Sequence, residues 1–201
     1  MTENINQKAE KVDWNNSDSI IDFYEGSKLY FDNYQLLEGQ DSITDAIDVK
    51  LRYISALIDK NRYNRAIPIC DEIDWLILKV ENNKELKKKF KIANQFNLGV
   101  LKGYLKSYNE SLKIFSELIQ SDSENDLYHD WYSQMKRNVL HKRLNYFSYV
   151  GLAIVLGDIF SDIIFEYSFN RYVVLLGFII MVGAWLIPYG IQKIERMKKN
   201  K

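Results

Sequence analysis

Proline is nearly missing from this chain, which has only Pro68 and Pro188 in 201 residues. Strand-like alternation of apolar and polar residues is missing too, so the reading is all-α. Cysteine occurs once, as Cys70, which excludes an intramolecular disulfide, fits a reducing compartment and offers no pair for a zinc site. The two histidines, His129 and His141, stand twelve residues apart on or near one helix, where an exposed or interfacial role is expected of them. The 27 Lys and Arg are matched by 27 Asp and Glu, and a net charge of zero points to neither nucleic acid nor an acidic substrate. Glycine-rich phosphate loops are absent, and no nucleophile in a strand–turn–helix context accompanies His129-Asp130. These residues compose no catalytic site and imply no metal or cofactor, so the chain is read as a non-enzyme.

What is present is concentrated at the C-terminal end. Charged residues make up 27% of the chain, but that figure averages a polar front with a very apolar tail, and the shift near residue 144 predicts a domain boundary. The run YFSYVGLAIVLGDIFSDIIFEY extends from Tyr146 to Tyr167, and VVLLGFIIMVGAWLIPYGI from Val173 to Ile191. Each has about the ~20 residues a helix needs to cross a bilayer. Only Ser168 to Tyr172 separate them, which predicts a transmembrane hairpin over 145–192, with spans 146–166 and 172–191 and a basic tail at 193–201. Lys136, Arg137, Lys142 and Arg143 precede the first run, and Lys193, Arg196, Lys198, Lys199 and Lys201 follow the second. The positive-inside rule then places both termini in the cytoplasm, as in a two-pass integral membrane protein. The N-terminal MTENINQKAEKVDWNN has no apolar core and does not read as a cleaved signal peptide.

In the front part, residues 1–16 are polar and expected to be disordered. From 17 to 144 the pairs Ser42/Asp45, Asn82/Glu85, Ser107/Glu110 and Ser123/Asp126 fit or approximate a capping box, in which a cap side chain and an acid three residues on satisfy free backbone N–H groups. They divide this cytoplasmic domain into helices near 19–38, 43–60, 63–81, 84–105, 108–121 and 125–144, the last running on toward the membrane. Leu86 and Phe90 turn inward within the run KELKKKFK, whose lysines form a solvated face or attract acidic partners or anionic headgroups. Core packing is expected of Cys70 and of Tyr128, Trp131 and Tyr132.

Helices joined by short turns invite a search for a repeat. Leu98-Gly99, Tyr108, Ser111-Leu112, Phe115 and Leu118-Ile119 fall at the offsets of a tetratricopeptide repeat, and Tyr53-Ile54, Tyr63, Ala66-Ile67, Cys70 and Ile73 form a second copy upstream. Over residues 43–123 the chain resembles a degenerate tetratricopeptide-like domain; another all-α bundle is the alternative. The resemblance implies stacked antiparallel helix pairs with a concave surface for a protein or peptide partner. The copies lie 45 residues apart, against ~34 in the family. Cys70 replaces an aromatic, and Ser123 stands where the family often has proline.

The first apolar run carries two acids, Asp158 and Asp162, one turn apart. An aspartate at a bilayer centre costs ~2.5–3.5 kcal/mol on insertion scales, so the pair are either candidate functional acids or acids seated at the outer interface. Ala153, Gly157 and Ser161 at four-residue spacing form a candidate helix-packing face, either for self-association of hairpins into a homo-oligomer or for packing one hairpin on itself. Two functions follow. One is a membrane-anchored adaptor whose helical repeats bind a protein or peptide at the cytoplasmic face of the bilayer. The other is a small effector whose hairpin oligomerises into a pore or channel.

Overall fold

The structure, a computed structural model, describes residues 5–33, 40–81, 83–165 and 171–199. Every regular element among them is a helix: α1 (Ile5–Ala9), α2 (Ser17–Gly26), α3 (Lys28–Asp32), α4 (Gln40–Asp59), α5 (Tyr63–Lys79), α6 (Lys84–Tyr104), α7 (Tyr108–Ser121), α8 (Asp126–Phe165) and α9 (Arg171–Lys199). The chain divides into two compact units, 1–135 and 136–201, so the division falls inside α8 and earlier than the composition shift near 144.

In the first unit, consecutive helices from α4 to α7 pack pairwise, α2 lies on α4, and α4 also touches α6. Apolar residues at helical spacing cause this. On α4, Ala46, Ile47, Tyr53, Ile54 and Leu57 share one face and are all at most 3% exposed. They meet Ala66, Ile69, Cys70, Ile73 and Leu76 of α5 and Tyr24 of α2 in a core that ends at Leu101. A second cluster joins α6, α7 and the start of α8 through Val100, Phe115, Leu118, Tyr128 and Met135. At the α6–α7 crossing, a Cβ on Gly99 would sit 3.0 Å from the Phe115 ring, and the buried Ser111 hydroxyl donates to the Gly99 carbonyl at 2.7 Å. Small residues at both positions let the two backbones approach.

The turns α4–α5 and α6–α7 are alike in detail. Each is three residues long with a left-handed middle residue, Asn61 (φ 57°) or Lys106 (φ 62°). The N–H groups of Lys60, Asn61 and Arg62 donate to the carbonyls of Ala56, Ile58 and Leu57; those of Leu105, Lys106 and Ser107 donate to Leu101, Gly103 and Lys102. Every member of the first set is 45 residues before its counterpart, so the spacing read from side chains is also a repeat of backbone hydrogen bonds. Tyr63 and Tyr108, which open the helices that follow, are equivalent in the same way.

Several boundaries differ from expectation. The helix expected at 19–38 is broken at Ser27, and residues 34–38 lie outside the described ones. Gly26 weakens the helix there, and Lys50 of α4 pulls on both sides of the break, with its Nζ 2.8 Å from the Tyr24 hydroxyl and 3.6 Å from Asp32. The cap of α6 is Asn83, whose side chain accepts from the Leu86 N–H at 2.9 Å, while Asn82 lies outside the described residues. Ser107 occupies a cap position without a side-chain cap bond, and Ser42 lies within α4. The stretch 1–16, for which composition predicts disorder, is described from Ile5 on. Trp14 meets Phe23 edge-on at 5.7 Å and lies under the Arg52 guanidinium at 5.2 Å.

In the second unit, α8 and α9 come together at two glycines. A Cβ on Gly151 would lie 2.5 Å from the Gly177 carbonyl oxygen, and one on Gly177 would lie 2.9 Å from Ile154. Among the described residues, α8 is the one helix long and apolar enough to cross a membrane. Only 6% of its apolar stretch is buried, unlike the core helix of a soluble protein. The Arg171–Ile187 part of α9 is apolar but shorter, and residues 166–170 between the two lie outside the described ones.

Candidate functional site

Alternate helices of the first unit line a groove of about 520 Å³. Helix α4 contributes Asp48, Leu51, Arg52 and Ser55, and α6 contributes Lys89, Ile92, Ala93, Phe96 and Asn97, each set at the spacing of one helix face. Asn125, just before α8, and Leu127 and Tyr128 in its first turn close the third side. The opposite faces of α4 and α6 are committed to the core through Ile47, Ile54, Phe90 and Leu101. The groove is therefore the side of α4 and α6 left over once the helices have packed.

Its floor is apolar and braced from behind. Leu51, Ile92, Ala93 and Phe96 are half-buried, and Tyr128 is 9% exposed. Phe96 sits 5.9 Å edge-on from Phe115 and 5.9 Å from Tyr128, so the ring at the groove's centre is fixed by two others. Burial, with Asp122 nearby, pushes the Tyr128 phenol above its ordinary value and keeps it neutral. The lip is polar. Leu127 is 51% exposed beside it, Lys89 is exposed, and Arg52 bonds Asp48 at 2.8 Å within α4. That pair is exposed on both sides, so it is worth ~0.3–0.5 kcal/mol and an incoming carboxylate displaces it at little cost.

Of the residues singled out from sequence, Lys89 and Tyr128 line this groove, while the candidate acids and packing face lie on α8 beyond it. On α8, Asp158 is half-buried and Asp162 exposed, while Ala153 is exposed and Gly157 and Ser161 are half-buried. The close approach to α9 is made at Gly151. Asp158 and Asp162 follow Gly151 by seven and eleven residues, which puts both acids on the Gly151 side of α8 and turns Ala153 away from it. Cys70 is 1% exposed; burial, helped by Asp71 and Asp74, pushes its thiol up to about 12, where it is inert as a nucleophile. His129 holds the turn before α8, with Nε2 2.9 Å from the Ser123 carbonyl oxygen. Phe90 is buried and Leu86 half-buried while Lys84, Lys88, Lys89 and Lys91 are exposed, so the lysine run is a solvated face.

One cluster escaped the sequence reading. Lys50 is completely buried, with Nζ 2.5 Å from Glu72 and 2.8 Å from the Tyr24 hydroxyl, and Tyr24 stacks on Tyr53 at 4.0 Å. The signal was present: positions 46, 47, 50, 53, 54 and 57 form one apolar stripe with a lysine inside it. With Tyr24, Glu72 and Asp32 around it, this ammonium joins α2, α3, α4 and α5. Comparison with protein-family models, curated proteins and solved structures finds no match to this chain.

Proposed function

We propose that the chain is a membrane-anchored helical-repeat adaptor whose groove between α4, α6 and the start of α8 binds an extended peptide segment of a partner protein. The observation that carries the reading is the groove itself: its three walls come from every second helix, which is where a stack of helix pairs presents its concave side. The repeated α4–α5 and α6–α7 turns support a tetratricopeptide-like arrangement, with α8 standing as the first helix of an unfinished third pair. The lining selects the ligand. Apolar side chains would fill the floor around Phe96, and a carboxylate would take Arg52 and Lys89 at the lip.

Anchoring rests on α8, whose apolar stretch is long enough to cross a bilayer and is scarcely buried. We place α9 beside it as the second half of a hairpin, packed at Gly151 and Gly177, with both termini cytoplasmic. This reading is favoured over an acid-lined pore because Asp158 lies on the Gly151 side of α8 and is half-buried there.

The test is selection of peptides from a random display library on the full chain in lipid nanodiscs. Selected binders are expected to carry an apolar residue next to an acid and to lose about 30-fold in affinity on Phe96→Ala, as at a ~2 kcal/mol hot spot. Ile92→Glu should abolish binding. Binders that ignore both substitutions would overturn the groove as the binding site.

A further inference from the structure

Between Asp130 and Asp158 the chain has no carboxylate, and in that interval lie Lys136, Arg137, Lys142 and Arg143. All four are on α8, in the turns before its apolar stretch, and Lys136, Lys142 and Arg143 are exposed. Immediately beyond them come Tyr146, Phe147 and Tyr149, which are 68%, 54% and 69% exposed. Helical spacing sorts these into two lines. Lys136, Leu140, Arg143 and Phe147 follow one another at intervals of three or four residues, and Lys142, Tyr146 and Tyr149 do the same on the adjacent side. Each line starts with a cation and ends in an aromatic ring. Because the aromatic rings favour the membrane–water boundary, they fix the depth of the helix. At 1.5 Å per residue Lys142 and Arg143 are then ~5 Å above the rings, at headgroup level, and Lys136 is ~15 Å above, beyond the ~8 Å screening length of physiological salt.

We propose that this cation-to-aromatic surface of α8 binds the headgroups of anionic phospholipids, with Lys142 and Arg143 holding the phosphates and Lys136 outside their reach. The proposal rests on the membrane-anchored reading and adds the lipid class to it. A plain anchor needs only apolar length. Two cations one turn above an aromatic belt, with no acid near them on the helix, select for negative charge.

The experiment uses the full chain in nanodiscs of phosphatidylcholine that contain a spin-labelled phosphatidylglycerol or a spin-labelled phosphatidylcholine. The boundary signal should favour phosphatidylglycerol severalfold, and the preference should shrink in high salt. It should weaken in Lys142→Gln and in Arg143→Gln, approach parity when the two are combined, change little in Lys136→Gln, and persist in Lys142→Arg with Arg143→Lys. Equal boundary signals for the two lipids in the native chain would overturn the headgroup proposal and leave the anchor standing. So would a preference that survives both glutamine substitutions. Absence of any boundary signal, with the chain extracted from membranes by carbonate, would overturn the anchor and this proposal together.

Discussion

Replacing Glu72 by leucine should harm the protein far more than replacing Lys50 by methionine, although both changes break the same ion pair. The Lys50 ammonium is 0% exposed and 2.5 Å from Glu72, whose side chain is 29% exposed; its other acid, Asp32, is 3.6 Å away and 37% exposed. Removing Glu72 leaves a buried cation with one distant carboxylate. Stranding a buried charge costs about 3–5 kcal/mol, and with Asp32 still present we take the lower end, about 3 kcal/mol. Removing Lys50 leaves two carboxylates whose side chains partly reach solvent, although the Asp32 Oδ1 that faced it is buried, while methionine fills the lysine's place in the apolar stripe, so the cost is about 1 kcal/mol. The double variant Lys50→Met with Glu72→Leu should recover most of the Glu72→Leu loss. Thermal unfolding of the full chain in detergent, followed by far-UV circular dichroism, reads the difference: about 6–12 °C for Glu72→Leu, taking ~2–4 °C per kcal/mol for a chain of this size. A Lys50→Met variant as damaged as Glu72→Leu, or a double variant whose loss is the sum of the two, would refute the reasoning.

Other expectations follow from single contacts. Lys106→Gly should raise stability by about 1 kcal/mol in the same melt, because a left-handed backbone at φ 62° penalises a side chain and glycine accepts it. Gly151→Leu should separate α8 from α9, since even its Cβ would lie 2.5 Å from the Gly177 carbonyl oxygen, whereas Ala153→Leu on the exposed side should be tolerated; cysteine cross-linking between the two helices distinguishes them. Native Cys70 should resist alkylation at pH 8 and react only on unfolding. Its thiol pKa is raised by folding from 9.0 to about 12, so its contribution to stability is complete below pH 9.0 and is lost as pH rises toward 12. Urea titrations across that range should show the slope, and Cys70→Ala should remove its share.

The helices α4 to α7 were legible in the sequence because short turns and a periodic apolar stripe act within a few residues, even though Ser42 lies within α4 and Ser107 makes no side-chain cap bond. Gly99, Ser111 and Phe115 meet as their spacing predicts. The break at Ser27 was not legible, since beside the local Gly26 the partner that bridges it is Lys50, more than 20 residues away and on another helix. Trp14 shows the limit of composition: one aromatic ring between Phe23 and Arg52 secures a segment whose average polarity reads as disorder. The groove was hidden because Leu51, Ile92 and Phe96 read as ordinary core positions until the helices are placed. In the second unit, small residues at four-residue spacing drew attention to Ala153, Gly157 and Ser161, whereas the approach at Gly151 depends on the backbone of Gly177, which local spacing does not reveal.

The central claim is that the chain presents its α4–α6–α8 groove to a partner at a membrane. A photo-reactive side chain placed at Leu127, on the groove lip, and separately at Glu117, exposed on α7, tests it in the full chain in native membranes. We expect Leu127 to cross-link one defined segment of a partner, with Ile92→Glu abolishing the product and Glu117 giving none. Equal cross-linking from Glu117, or a Leu127 product that survives Ile92→Glu, would contradict the account.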